Sequence, residues 1–69
     1  MSEVTIRVEG MSCAGCVRNV AGVLMATSGV QDARVSLEED QAVVAYDPAE
    51  VSVTQLRQAI VDAGFDAPE

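Results

Sequence analysis

The chain has 69 residues, 49% of them hydrophobic, and a net charge of −7 from eleven acidic residues against four Arg, with no Lys and no His. That length holds one domain, residues 1–69, and not two. Ordering it costs on the order of 100 kcal/mol, so its apolar surface goes into one core and a surface or loop site is expected rather than an enclosed pocket. The acidic balance argues against nucleic acid, whose phosphates reward basic proteins, and against an anionic membrane surface.

Charge of this sign either steers the chain to a basic patch on a partner or simply keeps a small domain in solution. Met1-Ser2-Glu3-Val4 lacks the basic start and long apolar run of a signal peptide. No run of about eighteen apolar residues is present to insert in a bilayer. The expected address is therefore cytoplasmic, where cysteines stay reduced.

In chain order, the first segment alternates: Val4, Ile6 and Val8 fall on one face, Glu3, Thr5, Arg7 and Glu9 on the other. That pattern predicts a strand with one buried and one wet face, ended by Gly10. A loop from Met11 to Gly15 follows. From Cys16 the period becomes helical, with Val17, Val20, Ala21 and Leu24 on one stripe and Thr27-Ser28-Gly29 closing it. Alternation returns over Val30 to Glu38, with Ala33, Val35 and Leu37 inward and Glu39-Asp40 as the hairpin turn.

Gln41 to Tyr46 is apolar on both faces, as a central strand is, and Asp47-Pro48 ends it. Ser52 to Gln55 has capping-box spacing, and Val53, Leu56, Ala59, Ile60 and Ala63 form an apolar stripe stopped by Gly64. Phe65 to Glu69 remain for a short last strand that Pro68 confines to an edge. The order β-α-β-β-α-β predicts an α+β, ferredoxin-like sandwich: a four-stranded antiparallel sheet with two helices on one face.

Two cysteines, Cys13 and Cys16, sit in Gly10-Met11-Ser12-Cys13-Ala14-Gly15-Cys16, between a strand and a helix. A disulfide there would close a tiny loop and add little stability, so the pair is read as chemical. Spacing of three at a helix start lets both sulfurs face the same way. Sulfurs on opposite sides of one metal, at about 2.3 Å each, stand about 4–5 Å apart. The helix N-terminus favours thiolate over thiol, and Arg18 is placed to add to that.

Two soft ligands, no His and no second CxxC favour Cu(I), which accepts two-coordination. A closed zinc site wants four ligands; Ag(I), Hg(II) and Cd(II) also bind thiolates. The rival reading of a CxxC is thiol-disulfide redox chemistry, but the chain has no Trp, and Pro48 and Pro68 lie in a turn and at the tail. A purely structural pair of buried thiols fits poorly with neighbours Ser, Ala and Gly. Met11 reads either as a third soft ligand or as packing under the loop. Phe65 reads as core, or as a shield for the metal. Tyr46 reads as the end of a strand, Met1 as the start residue and Met25 as packing or surface.

With the Gly-Met-x-Cys-x-x-Cys loop, Ser28-Gly29-Val30 before the second strand, and Ala59-Ile60 with Ala63-Gly64-Phe65 near the end, nearly the whole chain resembles the heavy-metal-associated domain family. Its members are cytosolic copper chaperones and the N-terminal metal-binding domains of copper-transporting P-type ATPases. The resemblance implies Cu(I) held by Cys13 and Cys16, Met11 packed beneath the loop, and no enzymatic activity. It also implies transfer to a copper-transporting P-type ATPase or its metal-binding domain by thiolate exchange. Ala14-Gly15 and Phe65 look more like an ATPase domain than like bacterial stand-alone chaperones, which often carry His near the second cysteine and Tyr in place of Phe65. The start at Met1 and the end just past the domain favour a free metallochaperone, with an excised ATPase domain as the alternative. The expected state is an apo monomer, with a copper-bridged dimer open through the exposed cysteines.

Overall fold

The segment that is apolar on both sides lies in the middle of the sheet. In the computed structural model, which describes residues 2–68, β3 (Gln41–Tyr46) pairs antiparallel with both β1 (Ser2–Arg7) and β2 (Val30–Ser36). Met1, read as the start residue, and Glu69, the end of the expected last strand, lie outside the described residues. Two helices complete the order: α1 (Ala14–Met25) between β1 and β2, and α2 (Val53–Asp62) after β3.

Register carries the alternation of each strand across the sheet. Val35, Ala42 and Ile6 form one inward row, and Ala33, Val44 and Val4 the next. Their neighbours Glu3, Thr5 and Arg7 point outward and are exposed. A bulge between Val30 and Asp32 leaves Gln31 and Asp32 both exposed and returns Ala33 to the inner face. One cluster joins Ile6, Val8, Ala42, Val44 and Tyr46 from the sheet side to Val20 and Leu24 of α1 and Leu56 and Ile60 of α2. Both helices therefore cover the same face, and each fully buried Leu or Ile contributes about 1.5–3 kcal/mol. This is the α+β, ferredoxin-like arrangement.

Several boundaries differ from the sequence expectation. Helix α1 begins at Ala14 rather than Cys16, because Cys13 takes the extended N-cap conformation (φ −159°, ψ 170°). Strand β2 stops at Ser36, and Leu37, expected inward, is exposed in the turn. That turn closes through the Glu39 N–H on Ser36 Oγ (3.3 Å). Asp40 takes positive φ (52°), which a short polar side chain tolerates without the usual Asn-Gly pair. Tyr46 is more than a strand end: it is buried in the core. Met25 is exposed.

Among the described residues the fourth strand is represented by an antiparallel bridge between Glu9 and Asp66, on the β1 side of the sheet. What precedes it is tightly built. Ser52 and Gln55 cap α2 reciprocally, Gln55 N–H to Ser52 Oγ (3.2 Å) and Ser52 N–H to Gln55 Oε1 (2.8 Å). At the other end, Gly64 N–H donates to the Val61 carbonyl (3.0 Å) and Phe65 N–H to the Ile60 carbonyl (3.3 Å). With Gly64 at φ +96°, this is a Schellman stop, and it turns the chain toward β1.

Candidate metal centre

Three turns of chain meet at one end of the sheet. Arg7 and Ser36 both oppose Gln41, so the segment leaving β1 and the β2–β3 turn lie together. Val8 N–H donates to the Asp40 carbonyl (2.8 Å) there, and Glu9 pairs with Asp66 from the far side. The loop carrying the cysteines crosses this end before α1 begins.

Cys13 and Cys16 are both free thiols, brought together with their Sγ atoms 3.6 Å apart. They are held differently. Cys13 is exposed at the N-cap, its carbonyl accepting from Cys16 N–H (3.0 Å) and Val17 N–H (3.3 Å). Cys16 lies in the first turn of α1, half-buried and packed on the core. At 3.6 Å, two bonds of 2.3 Å would meet at roughly 100°. A linear two-coordinate ion asks the sulfurs to part by about 1 Å.

Hydrogen bonds hold the Cys16 thiol below its ordinary value. The Ser12 backbone N–H contributes most, then the Cys13 side chain, then the Ser12 hydroxyl, against a smaller opposing effect of burial. The first turn of α1 contains no acidic residue, so nothing there offsets the positive end of the helix dipole. Arg18, expected to assist, is not among the groups that lower Cys16. The part assigned to it is played by Ser12, whose hydroxyl lies 3.9 Å from Cys16 Sγ. The only sequence signal for this was a small polar residue directly before the first cysteine.

Met11 is buried in the core cluster, so its side chain serves packing beneath the loop. Phe65 is partly buried against the same cluster and stands beside the loop: a Cβ on Gly10 would lie 3.9 Å from its ring. Gly15 leaves the sulfurs uncovered, since even a Cβ there would only touch Cys13 Sγ at 3.7 Å. Among the described residues no group of three or more His, Cys, Asp or Glu is placed to hold a metal. Among the described residues no helix is long and apolar enough to cross a membrane.

Comparison with known proteins gives this geometry its context. The heavy-metal-associated domain family matches residues 5–66. The chain is 44% identical over 66 residues to human copper-transporting ATPase 2, covering 96% of this chain and 4% of the ATPase. It is also 44% identical over 66 residues to the copper chaperone CopZ of Staphylococcus aureus, covering 96% of this chain and 97% of the chaperone. The chain thus spans a small fraction of the ATPases it matches and nearly all of the chaperone. Among solved structures, a copper binding domain from HMA7, a P-type ATPase, superposes with a TM-score of 0.97 at 38% identity, covering 99% of this chain and 92% of that domain.

Proposed function

The chain belongs to the heavy-metal-associated domain family, and on that premise we propose that it carries Cu(I) between Cys13 and Cys16 and passes it to a partner domain by thiolate exchange. It is a copper-binding domain and not an enzyme. The observation that carries the reading is the sulfur pair itself: two thiols 3.6 Å apart on an open loop at the head of a helix, with no cluster of three or more His, Cys, Asp or Glu among the described residues. Soft, low-coordinate Cu(I) fits that donor set, whereas zinc would lack two ligands.

Exchange follows from the openness of the loop. A thiolate of the partner forms a third bond to copper. One of the two original Cu–S bonds then breaks, and its sulfur leaves as a thiolate that takes up a proton from water. Copper stays Cu(I) throughout, and no bond need break before another forms. Binding can be tight while transfer remains fast.

The partner is a copper-transporting P-type ATPase or its metal-binding domain, and the setting is the cytoplasm, where the thiols stay reduced. Similarity across 97% of the copper chaperone CopZ supports the carrier reading. The 0.97 TM-score with a P-type ATPase domain supports the second reading, a domain within such a pump. Reading the gene through to its stop codon separates the two.

The test of the site is Cu(I) titration of the reduced protein against a chromophoric chelator, with Cys13→Ser and Cys16→Ser alongside. One tight equivalent, lost in both variants, is expected. Variants that bind like the parent would overturn the assignment.

A further inference from the structure

The two sides of the sheet end differently. Beside β1, the chain pairs again through Glu9 and Asp66. Beside β2 no strand pairs among the described residues, so the backbone groups along its outer side have no ladder partner. Such edges are commonly blunted by Lys, Pro or a bulge. β2 holds neither Lys nor Pro, and its bulge falls between Val30 and Asp32, ahead of the regular run over residues 32–36.

That run is electrically balanced in a chain of net −7. Asp32 and Arg34 stand on the outer face of the sheet, opposite Ala45 and Val43 of β3. Arg34 Nε reaches Asp32 Oδ2 at 3.2 Å along its own strand, yet the two side chains remain 83% and 54% exposed. Between and beyond them Ala33 and Val35 turn inward, half-buried against the core.

We infer that the outer edge of β2 is a docking surface for a second copy of this chain, paired antiparallel about a two-fold axis at Ala33. An axis perpendicular to the sheet preserves its faces, so inward residues meet inward residues and few registers remain. Centred on Asp32, the pairing sets Asp32 against Asp32; centred on Arg34, it sets Arg34 against Arg34. Like charges directly opposite destabilise a strand pair. Centred on Ala33, Arg34 of each copy faces Asp32 of the other, twice over by symmetry. Each carboxylate then lies between the arginine of its own strand and that of the second copy. The ladder ends where Val35 reaches the bulged position of Gln31.

The union is small and weak. Residues 32–34 of each copy carry it, against about 20–30 residues a side in a standard interface, and both chains are acidic. Dilute protein therefore stays monomeric. Ser36 ends β2 at the end of the sheet that carries the cysteines, so the antiparallel pair sends its two cysteine loops to opposite ends of one continuous sheet. Both loops stay open. No metal takes part, and the inference stands apart from the copper assignment.

The experiment follows mass by sedimentation equilibrium on reduced apo protein, with a Cu(I) chelator present, from micromolar to millimolar concentration. The parent should approach a dimer at the millimolar end. Arg34→Asp makes both facing pairs Asp–Asp, and Asp32→Arg makes both Arg–Arg, so each alone should associate about tenfold more weakly. Mixed in equal amounts, the two variants restore opposite charges at both facing pairs and should associate more tightly than the parent. General attraction between the variants cannot mimic this, because both remain net acidic.

A parent that stays monomeric at millimolar concentration would overturn the inference, as would a mixture no tighter than its separate components. If a variant does not fold, amide chemical shifts of the parent on dilution decide. They should move at residues 31–36, and movement elsewhere with none there would overturn the assignment to β2. A dimer that forms only when copper replaces the chelator is bridged by metal and overturns it equally.

Discussion

Cys13 and Cys16 place their sulfurs 3.6 Å apart, yet only Cys16 lies inside the helix. One member of the pair is set by hydrogen bonds and packing, and the other by a loop. Reactivity, stability and transfer each inherit that asymmetry.

Ionisation is the most direct consequence. The Cys16 thiol is lowered from 9.0, chiefly by the Ser12 backbone N–H. A lowered value means that thiolate persists as pH falls below the ordinary thiol range. Alkylation of the apo protein by iodoacetamide, mapped by mass spectrometry, should show a Cys16 rate profile with its midpoint below 9.0. Ser12→Ala should keep most of the displacement, because the hydroxyl is only the third cause. A midpoint that returns to the ordinary value in Ser12→Ala would show the hydroxyl to be the main donor.

Met11 separates packing from ligation. Its side chain is buried in the core, so Met11→Ala should cost about 2–5 kcal/mol in urea unfolding. The variant should still bind one equivalent of Cu(I) when folded. Unchanged stability with a large loss of copper affinity would make Met11 a ligand instead.

The glycines divide by what surrounds them. At Gly29 φ is +94°, and a Cβ would stand 2.9 Å from both Glu50 Cβ and Val51 Cγ1. Gly29→Ala should therefore destabilise by about 2–4 kcal/mol, from backbone strain and overpacking together. Gly22 lies exposed within α1 with nothing within 4 Å of a new Cβ. Gly22→Ala should stabilise by about 0.5–1 kcal/mol. Equal midpoints for the two variants in urea would contradict this.

Charge at the end that carries Cys13 and Cys16 should govern encounter with a partner. Glu38 and Glu39 of the turn, Glu9, Asp66 and Asp62 at the end of α2 are all exposed there, and the chain carries net −7. Copper transfer to a partner domain with a basic surface should slow as salt rises from about 0.01 to 0.15 M, as the screening length shortens from about 30 to 8 Å. Glu38→Lys with Glu39→Lys should slow it at low salt and flatten the dependence. Stopped-flow transfer at several ionic strengths reads both.

Sequence alone determined the elements whose signals are local. Alternation in Val4, Ile6 and Val8, the Ser52–Gln55 cap and the Gly64 stop each depend on neighbours a few residues away, and each appears in the structure. The cysteine pair was legible for the same reason, since spacing of three at a helix start brings two side chains to one side. Tertiary structure decided what depends on contacts between distant segments. Leu37 is apolar, but the turn closed by Ser36 puts it in solvent. Where the described residues of the expected last strand, Phe65 to Glu69, pair depended on where the α2 stop delivers Asp66 relative to Glu9, 57 residues earlier in the chain. That Cys13 belongs to the loop and Cys16 to the helix was legible from the change of period, whereas the N-cap at Cys13 and the Ser12 backbone N–H that lowers Cys16 were hidden, because every residue but proline carries such a group.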